Sequence, residues 1–145
     1  MAIPFELTMI TPEDILEVMG RQAKTVCQKV YPNERPNAVT EKLKELIVVS
    51  LPYSESNKMI AEDDDWWLDE TVVFEIYVAD KKTASDPKFF DTKKMKTLRE
   101  GIKALFPISD DIGIKITRPR TVINASSDGN GYHYSRIQAR MTTMV

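Results

Sequence analysis

The sequence contains one cysteine and one histidine among its 145 residues, and this scarcity excludes several kinds of site. Cys27 has no partner for an internal disulfide, and it lies on the apolar stripe of the first predicted helix, where a buried thiol is the ordinary arrangement. His133 alone supplies neither a zinc ligand set nor a Ser-His-Asp arrangement. We therefore predict no catalytic residues and no metal ligands, and we do not expect an enzyme.

An excess of positive charge and long apolar runs are also absent. The formal net charge is -2 at pH 7 with a pI near 5.5, so no strong basic field attracts phosphate backbones. Neither a Gly-x-Gly-x-x-Gly pattern nor a P-loop is present, which leaves nucleotide cofactors without support. No stretch of about 18 apolar residues could span a membrane, and the N-terminus does not have the pattern of a secretion signal. We expect no cofactor, no membrane association and no nucleic acid as a primary partner.

The clearest structural pattern is a strand at residues 71–79. Its apolar residues alternate with a second set, as in a pleated strand with one face on the core; these are Val72, Phe74, Ile76 and Val78. A helix at 91–106 repeats apolar residues at steps of three and four; these are Met95, Leu98, Ile102 and Leu105. The two patterns predict a helix that lies on a sheet.

The remaining elements complete one predicted domain over residues 1–145, with an N-terminal arm at 1–10. A long first helix begins at Thr11-Pro12 and runs to Tyr31-Pro32. The other predicted elements are a strand at 46–53, a long acidic loop or β-arm at 54–70, and a C-terminal hairpin of strands at 112–124 and 132–142. The fold class is predicted to be α+β. The prediction is a two-layer domain with an antiparallel-rich sheet of about four strands and two helices, in the order α-β-β-α-β-β.

The acidic arm contains the densest charge run, Glu62 to Asp65, followed by Trp66 and Trp67. The run does not match an EF-hand loop, so a solvated segment is the simpler interpretation. Adjacent residues of an extended segment point to opposite faces, so one tryptophan can join the core while the other faces outwards. An exposed tryptophan would suit a protein interface. The alternative is that the segment folds back and buries both rings.

Arg118 and Arg120 flank Pro119 inside the predicted C-terminal hairpin. The proline indicates a β-bulge or a sheet edge, because it cannot donate a ladder hydrogen bond. The two arginines are candidates for ion pairs with a partner subunit. The alternative is an exposed edge whose charges discourage aggregation.

The order of elements resembles that of tail-terminator or tail-completion proteins of long-tailed bacteriophages. The likeness rests on a long N-terminal helix, a strand running into Leu51-Pro52-Tyr53, a long arm, a strand ending in Tyr77-Val78-Ala79-Asp80, a helix over 91–106 and a final β-hairpin. It implies a structural protein that forms a ring, commonly a hexamer, which caps the tail tube and contacts other tail or connector proteins. Such a protein would lie in the bacterial host cytoplasm during assembly and then in the virion.

This interpretation places Trp66, Trp67, Arg118 and Arg120 at subunit contacts. The alternative from another class is a non-enzymatic host binding module that holds a peptide or small ligand on its sheet face or long loop. A third hypothesis, a small enzyme, requires His133 or Cys27 to be hydrogen-bonded to a carboxylate inside a cleft.

Overall fold

The computed structural model describes residues 12–32, 44–51, 58–62, 65–81, 90–109, 113–129 and 131–144. Within these ranges, two helices and seven strands follow one another along the chain. In order they are α1 (Pro12–Ala23), β1 (Val30–Pro32), β2 (Glu45–Ser50), β3 (Lys58–Glu62), β4 (Asp65–Ala79), α2 (Thr92–Lys103), β5 (Ile108–Ser109), β6 (Ile114–Ser127) and β7 (Tyr132–Met144). Neither of these two helices is long and apolar enough to cross a membrane.

The strands form one mixed sheet in the order β1-β2-β4-β7-β6-β5, with β3 paired to the first part of β4. The pair β1-β2 is parallel, and the other pairs are antiparallel. The predicted two-layer α+β domain with about four strands is therefore wrong: the fold is mostly sheet, and it curls into a half-barrel. The physical reason is strand length, since β4, β6 and β7 have 15, 14 and 13 residues, and twist accumulates along such strands.

Strand β4 is the centre of the sheet, as its alternating pattern predicted. Its residues Val73 to Val78 pair with β2, and its residues Trp67 to Ala79 pair with β7. The four core-facing side chains of the predicted strand are at most 1% exposed. Helix α2 covers this face with three buried residues, Met95, Leu98 and Ile102. Asp91 caps the start of this helix, because the Lys94 backbone N–H donates to Asp91 Oδ1 at 3.2 Å.

The first helix is shorter than predicted, because it ends at Ala23 rather than at Tyr31. The backbone N–H groups of Val26 and Cys27 both donate to the Ala23 carbonyl, which closes a turn. Residues 30–32 then extend as β1, and the Ile47 N–H donates to the Lys29 carbonyl at 2.9 Å. Cys27 is buried, as predicted.

The two helical glycines provide a matched pair of stability predictions. A Cβ added at Gly101 would lie 2.8 Å from Val26 Cγ1, whereas a Cβ at Gly20 would have no neighbour closer than Val30 Cγ1 at 3.9 Å. Alanine gains about 1 kcal/mol over glycine in a helix, and overpacking costs about 1–3 kcal/mol. We expect Gly20→Ala to raise the free energy of unfolding in urea and Gly101→Ala to lower it. If Gly101→Ala were as stabilising as Gly20→Ala, the contact between α2 and Val26 would be misplaced.

Candidate functional site

The two faces of β7 differ in chemistry, and the difference locates the site. Alternate residues of β7 face the core and are buried: Ser135, Ile137, Ala139 and Met141. The intervening residues lie on the opposite side of the sheet, called here the outer face, and include Arg136, Gln138 and Arg140. This alternation places a polar stripe along the outer face.

Strand β6 contains a bulge beside this stripe. Thr117 pairs with Arg140 and Arg120 pairs with Gln138, so β6 has one more residue than β7 in this interval. The predicted bulge at Arg118-Pro119-Arg120 is therefore confirmed. It also lies at an edge, because β5 pairs with β6 only at Lys115 and Ile116 and no other described strand lies on that side.

The bulge and the outer face of β7 enclose an open depression of about 340 Å³, called here the arginine depression. Its lining residues come from β4, β6 and β7: Thr71, Arg118, Arg120, Gln138, Ala139 and Arg140. Three guanidinium groups thus border one concave surface. Guanidinium groups bind carboxylates and phosphates through paired N–H donors, so the depression is suited to an anionic group.

Arg118 and Arg120 are both exposed, and within the described chain neither guanidinium has a hydrogen bond or an ion pair. Two other arginines, Arg136 of β7 and Arg99 of α2, are engaged. Arg136 Nη2 donates to Glu75 Oε2 at 3.0 Å, and Arg99 Nη1 donates to the Asn124 carbonyl at 2.6 Å. The two bulge arginines therefore keep their full donor capacity for an external partner.

The backbone at Arg118 is strained, because its φ is 57°. Glycine adopts this left-handed region without cost, whereas another residue there costs on the order of 1–3 kcal/mol. Strain of this kind is concentrated at functional positions. The bulge thus holds an exposed arginine in a strained backbone conformation.

Arg118 and Arg120, the two arginines predicted at subunit contacts, are two of the six lining residues. The other four are Thr71, Gln138, Ala139 and Arg140. The predicted place of Arg118 and Arg120 at a subunit contact stays a prediction. The sequence indicates that Arg140 is exposed, since it falls on the polar side of the last strand. Its position beside the bulge comes from the register of β6 on β7, which no local pattern encodes.

Trp66 and Trp67 lie in β4, where they pair with Ala61 and Ile60 of β3. Their side chains fall outside what the structure describes, so their predicted place at a subunit contact stays a prediction. The backbone of the predicted acidic segment is a hairpin of β3 with the start of β4. Residues 54–57 and 63–64 of that segment lie outside the described ranges.

His133 has a partner that sequence reasoning missed. Its Nδ1 lies 2.6 Å from Asp80 Oδ1, and its ring stacks on Phe90 at 4.4 Å with an interplanar angle of 11°. Asp80 follows the end of β4 and is nearly buried, with a side chain 4% exposed. Lys81 Nζ and Asp91 Oδ2, 3.4 Å apart, tie the same corner of the fold to the start of α2.

The enzyme hypothesis required His133 to bond to a carboxylate inside a cleft, and the first of these two requirements is met. His133 lines neither the arginine depression nor the concave surface between α1 and the strands β1 and β2, and no described hydroxyl or thiol is bonded to its ring. Burial raises the pKa of the Cys27 thiol, against the opposing effect of a hydrogen bond with the Lys29 backbone. In the described part of the chain, no cluster of three or more metal-ligating side chains occurs.

A second concave surface lies between α1 and the parallel strands β1 and β2. It has a volume of about 560 Å³. Its lining combines apolar residues with charged ones from exposed turns of α1: Glu13, Leu16, Glu17, Gly20, Arg21, Lys24, Val30, Pro32 and Val49. This groove was not predicted, because residues 30–32 were expected to be helical rather than a strand.

Comparison with known proteins gives no family for the chain. Neither a scan against protein-family models nor a search of curated proteins found a match.

Proposed function

We propose that this chain is a structural assembly protein whose copies associate into a closed ring, with the arginine depression as one half of the subunit contact. The observation that carries the proposal is the pair of exposed arginines on a strained bulge, neither of which has a partner among the described residues. A ring needs a head-to-tail contact, in which two different surfaces of each subunit fit one another. A concave cationic surface on a chain with net charge -2 provides one of two complementary surfaces.

The chemistry of β6 favours contact through side chains rather than through strand addition. Pro119 removes a ladder donor, the bulge twists the edge, and the flanking arginines repel a second edge of the same kind. A neighbouring copy would therefore dock into the depression instead of extending the sheet.

The biological role that we propose is that of a phage tail terminator, a ring that caps the tail tube and contacts other tail or connector proteins. The support is the part of the resemblance that the fold retains. A strand at 45–50, a strand ending at Ala79, a helix at 92–103 and a final hairpin are all present in the fold. In this role the protein assembles in the bacterial host cytoplasm and ends in the virion, with six subunits as the resemblance implies.

A substitution at the strained position separates folding from assembly. Arg118→Gly removes the guanidinium and the left-handed strain together, so we expect the free energy of unfolding to stay level or to rise by up to about 1–3 kcal/mol. Rings seen by negative-stain electron microscopy should become fewer at a given protein concentration. Arg118→Lys is the control, since it keeps both charge and strain, and it should retain more assembly than the glycine variant. If the glycine variant assembled as well as the parent, Arg118 would not be part of the subunit contact.

The groove between α1 and β1 favours the alternative, a binding module for a peptide or small ligand, because ligand clefts combine apolar floors with a few polar groups. Leu16→Arg, which places a charge in that groove, distinguishes the two functions. Ring assembly should be unchanged under the first proposal, and ligand binding should be lost under the second.

A further inference from the structure

The arginine depression collects donor groups from three strands, and the register of the sheet is the reason. Arg140 of β7 pairs with Thr71 of β4, and Gln138 of β7 pairs with Arg120 of β6. The bulge adds Arg118 between these two rows. All five side chains carry N–H or O–H donors, and none of the described lining residues is acidic. The depression therefore suits a ligand that consists mainly of hydrogen-bond acceptors.

Arg118 and Arg120 supply the charge of this surface. Both are exposed and have no partner among the described residues, whereas Arg140 has another interaction within the chain. The protein as a whole has a formal net charge of -2, so its general field does not attract anions. An anion that binds this protein therefore needs a local cationic site, and the two guanidinium groups provide one.

A phosphate group matches this donor set better than a carboxylate does. A phosphate monoester has three strong acceptor oxygens and a charge of about -1.5 to -2 near neutral pH, whereas a carboxylate has two oxygens and one charge. Each guanidinium can donate two parallel N–H bonds to a pair of phosphate oxygens. Two such groups therefore balance the charge of one phosphate, and the Gln138 amide and the Thr71 hydroxyl supply further donors at the rim.

The size of the depression allows a ligand larger than phosphate alone. Its volume of about 340 Å³ lies at the lower end of the range of pockets that bind small organic molecules, about 300–1,000 Å³. A small phosphorylated molecule can therefore be held with its phosphate on the arginines and the rest of the molecule in the same depression.

We infer that the arginine depression is a binding site for a phosphate group, either free or carried by a small molecule. Bound phosphate occupies the two guanidinium groups that the proposed ring uses, so it competes with the neighbouring copy. The competition rests on the proposed function, whereas the binding itself does not depend on any ring.

Isothermal titration calorimetry with inorganic phosphate tests the site on the full chain, at protein concentrations below those at which it assembles. Arg118→Gln/Arg120→Gln removes both charges and the paired donors, so we expect binding at least about tenfold weaker than to the parent. Arg118→Lys/Arg120→Lys keeps the charges without the planar donors and should bind with intermediate affinity. Lys93→Gln/Lys96→Gln makes the same change in net charge on α2, and it should bind phosphate like the parent.

Two further ligands identify the source and the class of the anion. Glycerol phosphate carries the phosphate on a small molecule, and succinate has a similar charge on two carboxylates. Tighter binding of glycerol phosphate than of inorganic phosphate assigns the site to a phosphorylated small molecule, and the reverse order assigns it to free phosphate. Succinate that bound as tightly as both would overturn the assignment to phosphate.

The outcomes separate this site from the proposed ring. If phosphate did not bind the parent, or bound the folded glutamine variant equally well, the site would be wrong and the ring proposal would stand. If phosphate bound as expected but the parent never formed rings, the ring proposal would fail and the site would stand. A circular dichroism melt verifies that each variant is folded.

The competition has its own measurement, light scattering of the assembled parent in phosphate and in chloride at equal ionic strength. Both salts screen charge to the same extent, but only phosphate occupies the depression. We therefore expect rings to dissociate at a lower ionic strength in phosphate than in chloride. Equal dissociation in the two salts would overturn the competition.

Discussion

Arg118→Glu/Arg120→Glu is expected to be a folded monomer at concentrations where the parent chain forms rings. The two substitutions reverse the charge of both unpaired guanidinium groups in the depression. Placing like charges together across an interface costs several kcal/mol, which corresponds to a loss of association greater than about a hundredfold. Both side chains are exposed, so the free energy of unfolding should change by no more than about 0.5 kcal/mol. Sedimentation velocity on both chains measures the assembly directly.

A charge-matched control distinguishes the depression from net charge. Lys93 and Lys96 are exposed on α2, and Lys93→Glu/Lys96→Glu produces the same change in net charge. This control should assemble like the parent. If both variants lost assembly equally, general repulsion between more acidic chains would explain the loss, and the depression would have no specific role.

Phe74→Ala is expected to be the most destabilising single substitution proposed, with a loss of about 3–5 kcal/mol in the free energy of unfolding. Phe74 is fully buried at the centre of β4, where it pairs with Val49 of β2 and Ile137 of β7. Its ring forms a T-shaped pair with the ring of Phe106, and the two ring centroids are 5.8 Å apart. Truncation therefore removes contacts to both neighbouring strands and to the segment after α2. Urea unfolding at a fixed, low protein concentration avoids any contribution from assembly.

Val122→Ala is the control for this measurement. Val122 lies in β6 and is 40% exposed, so its truncation leaves no cavity and should cost no more than about 0.5 kcal/mol. If Phe74→Ala cost no more than Val122→Ala, β4 would not be the centre of the core.

The elements that could be predicted from sequence are those whose periodicity has a local cause. The alternation in β4 predicts its buried face because each second residue turns to the core. Helix α2 was predictable because its apolar residues recur on one side and Asp91 caps its start. Cys27 was assigned to the core for the same reason, from its place on an apolar stripe.

The curled sheet could not be predicted, because it depends on pairing between distant segments. The parallel pair of β1 with β2 joins Val30 to Ile47, and the helical periodicity before Val30 favoured the wrong structure there. The pairing of β5 with β6 involves only Ile108 and Ser109 on one side, too short a segment for any pattern. Without these two edge strands, the sheet appeared to be a layer of four strands.

The candidate site likewise contains some features that the local sequence predicts and others that depend on pairing between distant strands. Pro119 marked the bulge locally, so Arg118 and Arg120 were identifiable as candidates. The positive φ of Arg118 and the position of Arg140 beside it follow from the register between β6 and β7. The bond from His133 to Asp80 likewise depends on a pairing of β7 with β4 that places Val78 opposite His133.

The decisive measurement is the absolute mass of the parent chain in solution, determined by light scattering across protein and salt concentrations. If copies associate through the arginine depression, we expect a closed species, six times the chain mass of 16.6 kDa for a hexamer, whose fraction rises with protein concentration and falls with added salt. A chain that stays monomeric at every protein concentration and at low salt would contradict the claim that the arginine depression is a contact between copies.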